Sequence, residues 1–426
     1  MGALVVAALT LTPSLNEHML RGFCLVCGEL GGQDFLDNVL LFVPLALGLR
    51  LSGVRTWRAV AIAFAASGTI ELLQRWVIPG RDASVGDLLA NTLGGGVGAL
   101  LGAWWRTLIL PDPPRARRLA AAGAAAWVAV LAATAWTLQR TVPRSPTGYD
   151  VHWTPEDFPG ERYGGRVLSV AVGDVPLVPG RLSEAAVRGA LDADSIRFSA
   201  TFTAGAARRR GSEVIARVAT PDSVPVLVFA RRGCDLALEA RTRVHDARLR
   251  PPNVAVEGVL PCGANAAIAK LGDTLRATGV LTTERLRLTV GDARGGEARG
   301  ASAPISPVLG WSFFLPWYVS LDGSRRLLHA LSALWLGGLL VPVGYWVGRS
   351  RDRDGARRGG VGPLLLSLGA VVVGLAIVPL LAGLAASAAS DWAASIAGVA
   401  LGWLVGAWSS TGRRAAAAPT SDASRA

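Results

Sequence analysis

Charged residues are scarce in this sequence, and so are lysine and cysteine. Only 17% of the 426 residues are charged while 51% are hydrophobic, which is unusual for one soluble globular domain and excludes a disordered chain. Lysine occurs once, at Lys270, so arginine carries the net charge of +12. Four cysteines are too few for a small disulfide scaffold, and the 51 glycines follow no strict period, which excludes collagen. A membrane protein with a soluble insert is the class that remains.

Long apolar stretches are present in two groups, on either side of a polar middle segment. A transmembrane helix needs about 20 apolar residues, and flanking residues bring these stretches close to that length. They are residues 1–11, 39–49, 59–70, 88–105, 119–138, 327–347, 361–390 and 392–408. The sequence therefore predicts an α-helical polytopic membrane protein with about eight transmembrane helices. The first stretch is short and is expected to act as its own insertion signal.

Arginines cluster at alternate ends of these stretches. If the N-terminus is cytoplasmic, the arginine-rich segments 50–58, 106–118, 349–358 and 413–425 all lie inside, as the positive-inside rule requires. The middle segment, residues 145–300, then lies outside the cytoplasm. Because the basic charge marks topology, we expect the lipid bilayer as a partner and no nucleic acid.

The middle segment changes from a helical period to a period of two. Ile196, Phe198 and Phe202 alternate with polar residues, and similar runs are separated by glycine, proline and aspartate turns. This pattern predicts an all-β extracytoplasmic sandwich of antiparallel strands. The rhythm of residues 195–202 and 236–242 resembles laminin-G or concanavalin-A-like domains. Such folds commonly bind glycans, although a fold does not fix a function.

The four cysteines form two pairs outside the cytoplasm in this topology. Cys234 and Cys262 lie in the predicted sandwich, where an oxidising environment favours a disulfide. Cys24 and Cys27 are spaced for a small disulfide loop or for half of a metal site. No second close pair or nearby histidine completes a set of four ligands. We therefore expect neither a metal nor another cofactor.

Polar residues converge at the outer ends of the N-terminal helices. The candidate binding residues are Asp37, Asn38, Glu71, Gln74, Arg81, Asp87 and Asn91. Glu71 and Gln74 share one helix face, and Asp87 and Asn91 share another whose glycines would let a neighbouring helix approach closely. A carboxylate facing lipid costs about 2.5–3.5 kcal/mol, so Glu71 should face the bundle interior. Two interpretations stay open, a hydrogen-bonded network that locks a helical hairpin and a polar pocket that meets a ligand.

The order and spacing of these residues resemble a known family. The matching pieces are Asp37-Asn38, Phe42-x-Pro44, Glu71-x-x-Gln74, Arg81 followed by Asp87, and Asn91-x-x-Gly94. Together they resemble the VanZ-like membrane proteins, which are named for a teicoplanin-resistance accessory protein. The resemblance covers roughly residues 1–110 and departs at Ala46, where the family often has glycine. It implies a bacterial envelope protein in the cytoplasmic (inner) membrane and supplies no reaction.

The expected organisation has four parts. They are a VanZ-like transmembrane domain of about five helices (1–142), the sandwich (145–300), about three C-terminal helices (301–410) and a disordered cytoplasmic tail (411–426). The leading hypothesis is binding of a cell-wall glycan, glycopeptide or lipid headgroup at the outer face. The alternative is a membrane-embedded hydrolase or transferase acting on an envelope precursor, with Glu71 as general base and Arg81 neutralising a phosphate. Transport is disfavoured because the deep halves of the helices are almost wholly apolar.

The C-terminal helices contain an echo of the N-terminal ones. Residues 391–398 parallel residues 87–94 at an offset of 304, and Val341-Pro342 parallels Val43-Pro44 at an offset of 298. Nearly equal offsets are what a degenerate duplication would leave. The second copy lacks the glutamate and the glutamine, so any chemistry would stay in the first.

Overall fold

The structure is a computed structural model, and it describes residues 30–78, 83–154, 163–206, 212–262, 269–296, 298–314, 325–350 and 361–416. Helices lie on either side of a β-sheet segment in the described chain. They are α1 (Gly31–Leu51), α2 (Thr56–Trp76), α3 (Val85–Ile109), α4 (Pro113–Leu138), the short α5 (Glu184–Leu191), α6 (Arg325–Arg349), α7 (Val361–Val372), α8 (Val378–Ala382) and α9 (Ala389–Ala416). One π-helical turn (Val373–Ile377) joins α7 to α8.

Among the residues that the structure describes, four helical segments are long and apolar enough to cross a membrane. They are Pro113–Leu138, Leu327–Arg349, Val361–Ala382 and Ala389–Ser409. The prediction of about eight such helices is not supported, since within the described ranges α1, α2 and α3 have 21 to 25 residues but are not among these segments. Acidic and amide side chains in α1 and α2, and glycines in α3, lower the hydropathy of these helices. The predicted stretch 1–11 lies outside the described residues.

Two predicted boundaries in the C-terminal part differ from the structure. The apolar stretch 361–390 predicts one helix, but α8 ends at Ala382 because Gly383 adopts a left-handed conformation with φ 63°, which glycine tolerates best. The predicted tail begins at residue 411, whereas α9 continues to Ala416. The first six residues of that tail are therefore helical, and residues 417–426 lie outside the described part.

The middle segment folds as a β-sandwich of two antiparallel six-stranded sheets. Its strands are β1 (Tyr149–Trp153), β2 (Val167–Val172), β3 (Val175–Pro176), β4 (Gly180–Leu182), β5 (Ser195–Thr203), β6 (Ser212–Ala219), β7 (Pro225–Arg232), β8 (Asp235–Ala240), β9 (Asn253–Val256), β10 (Thr274–Thr282), β11 (Arg285–Asp292) and β12 (Ala298–Pro304). One sheet has the order β4-β1-β6-β7-β8-β9, and the other has the order β12-β11-β10-β5-β2-β3.

The sandwich core is built from the alternation seen in the sequence. Phe198 and Phe202 point inward from β5 and meet Phe229 of the opposite sheet, at ring-centroid distances of 5.2 and 5.5 Å. Tilted and edge-to-face aromatic pairs of this kind add to the apolar burial between the sheets. Cys234 and Cys262 form a disulfide across 28 residues, which by the chain-entropy argument stabilises the sandwich by about 3–4 kcal/mol.

The sandwich is not entirely β, because α5 lies within it. Val187 and Leu191 are buried, and they are four residues apart on one helix face. On the other face Arg188 contacts both Glu184 and Asp192, at 2.6 and 2.8 Å, in two i,i+4 ion pairs. The prediction of an all-β insert is therefore wrong at this element.

The sandwich joins α4 directly. The backbone N–H of Val244 donates to the carbonyl of Thr137 in the last turn of α4, at 2.9 Å. Two residues after α4, Arg140 Nη2 donates to the carbonyls of Ala193 and Asp194, both at 3.0 Å. Apolar residues at the end of α4 also belong to the same core as the sheets. The sandwich is thus continuous in packing with the helix that leads into it.

Two further contacts fix the same end of the sandwich to the helices. The N–H groups of Gly32 and Gln33, in the first turn of α1, donate to the carbonyl of Arg248 at 3.1 and 3.2 Å. The N–H of Ala385, just after α8, donates to the carbonyl of Ile305 at 2.9 Å. Three separate attachments hold the sandwich in one orientation over the bundle.

Helices α1 and α3 pack closely through glycine. A methyl group at any of three α3 glycines would overlap backbone or side-chain atoms of α1. The contacting pairs are Gly94 with Val39, Gly98 with Val43, and Gly102 with Leu47 and Arg50. The residue numbers rise together, so the two helices run parallel. Gly95 faces the other way and meets Ala63 of α2, which runs antiparallel to both.

Helices α6 and α9 repeat this packing. Three α9 glycines approach the α6 backbone as closely as the α3 glycines approach α1. The pairs are Gly398 with Gly337, Gly402 with Val341, and Gly406 with Tyr345. Each α9 glycine lies 304 residues after its α3 counterpart, and each α6 position lies 298 residues after its α1 counterpart. Pro44 and Pro342 lie inside α1 and α6 at the same offset. The repeated register supports an internal duplication of this helix pair.

Candidate functional site

The predicted polar residues meet in part, as a buried seam between α2 and α3. Ser67, Glu71 and Gln74 lie on the inner face of α2, where they are 0%, 5% and 7% exposed. Their spacing of four and three residues keeps them on one side of the helix. Asn91 of α3 is 1% exposed and faces them. We call these four residues, together with Ser84, the polar seam.

Glu71 contacts the beginning of α3. Its Oε2 accepts a hydrogen bond of 2.7 Å from the backbone N–H of Ser84, the residue that caps α3. Ser84 Oγ in turn accepts from the N–H of Asp87 at 3.2 Å. The first N–H groups of a helix have no partner within the helix and carry partial positive charge, so a carboxylate there is favourable. Glu71 therefore fixes α2 to the start of α3.

Asn91 forms the second link of the seam. Its Nδ2 donates to Ser67 Oγ at 2.9 Å, in a contact that is buried on both sides. Asn91 Oδ1 is buried without a hydrogen-bond partner in the part of the chain that the structure describes. Side-chain hydrogen bonds between helices are worth roughly 1 kcal/mol in a membrane setting. The two links favour the interpretation of a network that locks a helical hairpin.

The seam lies at the end of the bundle that carries the sandwich. The first turn of α1 is bonded to the sandwich residue Arg248, and the parallel register places the start of α3 level with it. A cavity of about 450 Å³ opens there between Gly31, Phe35 and Leu36 of α1 and residues 246–249. The seam side chains do not line it. The open space at this end therefore lies beside the seam, at the junction of α1 and the sandwich.

The other predicted site residues have different positions. Asp37 and Asn38 are half-buried on α1, and Asp37 is bonded to Gln33 of its own helix. The contacts found among the described residues do not join Asp37 or Asn38 to Glu71. Arg81 lies outside the described residues.

The possible pair Cys24 and Cys27 also lies outside the described part of the chain. Sequence reasoning missed Ser67 and Ser84. The sequence nevertheless indicates both positions. Ser67 is four residues before Glu71 and so shares its helix face, and Ser84 begins a Ser-x-x-Asp pattern that is typical of a helix N-cap.

Metal ligands do not cluster at the site. Within the described ranges, no group of three or more histidine, cysteine, aspartate or glutamate side chains is placed to hold a metal ion. The chemistry available at the seam is that of one carboxylate, hydroxyls and amides. These groups can form hydrogen bonds and can accept a proton at Glu71.

Comparison with protein families finds one similarity. Residues 6–106 match the model of the VanZ/LLP1 family. The matched range includes α1, α2 and nearly all of α3 of this chain. Searches of curated proteins and of solved structures find no match. The four apolar helical segments and this match together fit a membrane protein.

Proposed function

We propose that this chain is a multi-pass protein of the bacterial cytoplasmic membrane that binds an envelope component at the outer face, the sandwich binding a cell-wall glycan or glycopeptide and the polar residues around Glu71 and Gln74 a lipid headgroup. The observation that carries the proposal is the fixed attachment of the sandwich to the end of the bundle where α1 and α3 begin. The arginine-rich segments 50–58 and 106–118 lie at the opposite end of these helices. By the positive-inside rule that end faces the cytoplasm and the sandwich faces out.

The repeated helix packing supports placing α1 and α3 in the membrane as well. Helices α6 and α9 each contain a segment apolar enough to span, and α1 and α3 pack in the same glycine register. The match to the VanZ/LLP1 family agrees with an envelope role related to glycopeptide resistance. Two large antiparallel sheets agree with a laminin-G-like or concanavalin-A-like sandwich, and hence with a glycan ligand.

Binding is tested with the full chain in nanodiscs of zwitterionic lipid. We expect micromolar or tighter binding to at least one member of a panel of peptidoglycan fragments, glycopeptides and envelope polysaccharides, measured by biolayer interferometry. Empty nanodiscs of the same lipid serve as the control. If no member of the panel binds above the empty nanodiscs, the glycan-binding proposal is wrong.

Two variants at Glu71 distinguish a structural role of this carboxylate from the alternative function, in which Glu71 is a general base. Glutamine at position 71 keeps an oxygen that accepts from the Ser84 N–H but loses the charge, whereas alanine removes both. If Glu71 fixes the start of α3, Glu71→Gln should lower stability by about 1 kcal/mol and Glu71→Ala by about 2–3 kcal/mol, because the buried N–H loses its partner. Thermal unfolding in detergent measures this ranking.

A general base predicts another pattern for the same two variants. Both would abolish turnover of an envelope precursor, and Glu71→Gln would do so with its stability intact. The decisive result would be turnover by the wild-type protein that is lost in Glu71→Gln while the melting temperature is unchanged. That result would replace the binding proposal with the enzymatic one.

A further inference from the structure

One face of the sandwich carries positive charge and hydroxyl groups. It is the outward face of the sheet that contains β5, β10, β11 and β12, and its inward face packs into the core. Its arginines, which are all exposed, are Arg197, Arg276, Arg285 and Arg287. Its hydroxyl residues include Ser199, Thr201, Thr278, Thr289 and Ser302. We call this set the arginine face. Among the described residues of these four strands, no carboxylate points outward with them.

The strand register spreads the arginines over an area. One row across the four strands consists of Arg197, Val280, Arg287 and Ser302, in that order. Neighbouring strands are about 4.8 Å apart, so the Cα atoms of Arg197 and Arg287 are separated by roughly 10 Å. Arg276 lies four residues before Val280 along β10, or about 13 Å away. The positive charge is therefore a broad patch suited to several anionic groups.

Two arginines of the opposite sheet form ion pairs with carboxylates. Arg181 contacts Asp150 at 2.7 Å and Arg232 contacts Glu239 at 3.3 Å, so both are compensated by a carboxylate. In the part of the chain that the structure describes, none of the arginine-face residues forms an ion pair, and the Arg285 guanidinium donates from Nη1 to the hydroxyl of Ser302 at 3.2 Å. Arg181 and Arg232 are thus compensated by carboxylates, whereas the exposed arginines of the arginine face are not.

The arginine face extends along the strands, from the end of the sandwich that is bound to the helices toward the opposite end. The last residues of β10 lie at the helix-bound end, since Arg140 Nη1 donates to the carbonyl of Leu281 at 3.3 Å. Antiparallel neighbours β5 and β11 begin at that end and extend away from it. Arg197, Arg285 and Arg287 lie near the helix-bound end, and Arg276 lies about 13 Å farther along the strand direction. A ligand that contacts all four arginines must therefore extend along the strands.

We infer that the arginine face binds an extended acidic polysaccharide. The guanidinium groups pair with its carboxylate, sulfate or phosphate groups, and the serine and threonine hydroxyls form hydrogen bonds with its sugar hydroxyls. Charge complementarity identifies the partner, because four exposed arginines without carboxylates among them favour an anion over a neutral glycan. The inference rests on the proposed function and specifies the ligand class and the surface.

The test uses the full chain in zwitterionic nanodiscs with polygalacturonate as the acidic probe and dextran of matched length as the neutral one. The double variant Arg197→Gln/Arg287→Gln removes two charges from the arginine face. Its matched control, Arg181→Gln/Arg232→Gln, removes two charges from the other sheet. We expect binding of polygalacturonate that weakens with added salt, falls on the order of tenfold in the first variant and changes less than twofold in the control.

Other outcomes contradict the inference in distinguishable ways. Equal weakening by both variants would show an effect of net charge alone. Binding of dextran or peptidoglycan fragments without binding of polygalacturonate would leave the proposed function standing and overturn the acidic ligand. Arginine-dependent binding of phosphatidylglycerol vesicles without polysaccharide binding would assign the face to a membrane surface. No binding of any glycan would overturn both proposals.

Discussion

Replacing Gly98 with alanine should prevent α1 and α3 from packing. The new methyl group would overlap the backbone carbonyl oxygen of Val43, and backbone atoms cannot move aside as a flexible side chain can. In an isolated helix alanine is favoured over glycine by about 1 kcal/mol, so propensity alone would stabilise the variant. Overpacking of this kind costs roughly 1–3 kcal/mol or more and should outweigh that gain. We expect a lower melting temperature and a reduced yield of monodisperse protein in detergent.

The same helix offers a matched control. A methyl group at Gly96 would meet no other atom within 4 Å, so Gly96→Ala should be neutral or slightly stabilising. The duplicated pair gives a second comparison, in which Gly402→Ala should be destabilising and Gly338→Ala should not. If Gly98→Ala and Gly96→Ala unfold at the same temperature, the packing of α1 against α3 is not as described.

The second large effect is expected at Arg231, in the sandwich. This arginine is 1% exposed, and its guanidinium donates to three backbone carbonyls, those of Gly205, Gly233 and Pro261, at 2.6–2.7 Å. Arg231→Met keeps most of the side-chain volume but leaves three backbone acceptors, of which that of Gly205 is buried, without this donor. We expect a loss of about 3–5 kcal/mol in the free energy of unfolding, measured by thermal or denaturant unfolding.

The neighbouring residue provides the control for this variant. Arg232 forms an ion pair with Glu239, but its side chain is 40% exposed, so Arg232→Met should cost less than about 1 kcal/mol. A similar loss in the two variants would mean that charge, and not the three hydrogen bonds to backbone carbonyls, stabilises this end of the sandwich.

Much of the fold could be predicted because each region has a clear hydrophobic period. The alternation around Ile196 and Phe198 predicts a strand there. The glycines that follow Asn91 predict the close approach of a neighbouring helix, which is α1, whereas Asn91 itself contacts α2. Only part of the polar site was predictable. The partner of the Glu71 carboxylate is a backbone N–H, which no side-chain pattern reveals, and the closure of the seam depends on how α2 and α3 pack.

Other features depend on contacts distant in sequence. The attachment of Gly32 to Arg248 joins segments more than 200 residues apart, and no local pattern specifies it. The arginine face was also not predicted, because Arg197, Arg276 and Arg287 lie on three strands whose order is set by the sheet. The count of about eight membrane spans is not supported among the described residues, because polar side chains in α1 and α2 and glycines in α3 make these helices less apolar than the four segments that qualify.

The central claim, that the sandwich meets an envelope ligand outside the cytoplasm, is tested most directly by labelling in intact bacteria. Cysteine is introduced at Thr289 on the arginine face or at Arg115 at the start of α4, in a chain whose Cys24 and Cys27 are changed to serine. Both positions are exposed in the structure. A membrane-impermeant maleimide should label Thr289→Cys in intact cells and Arg115→Cys only after the membrane is opened. Labelling of Arg115→Cys alone in intact cells would place the sandwich in the cytoplasm and contradict the proposed function.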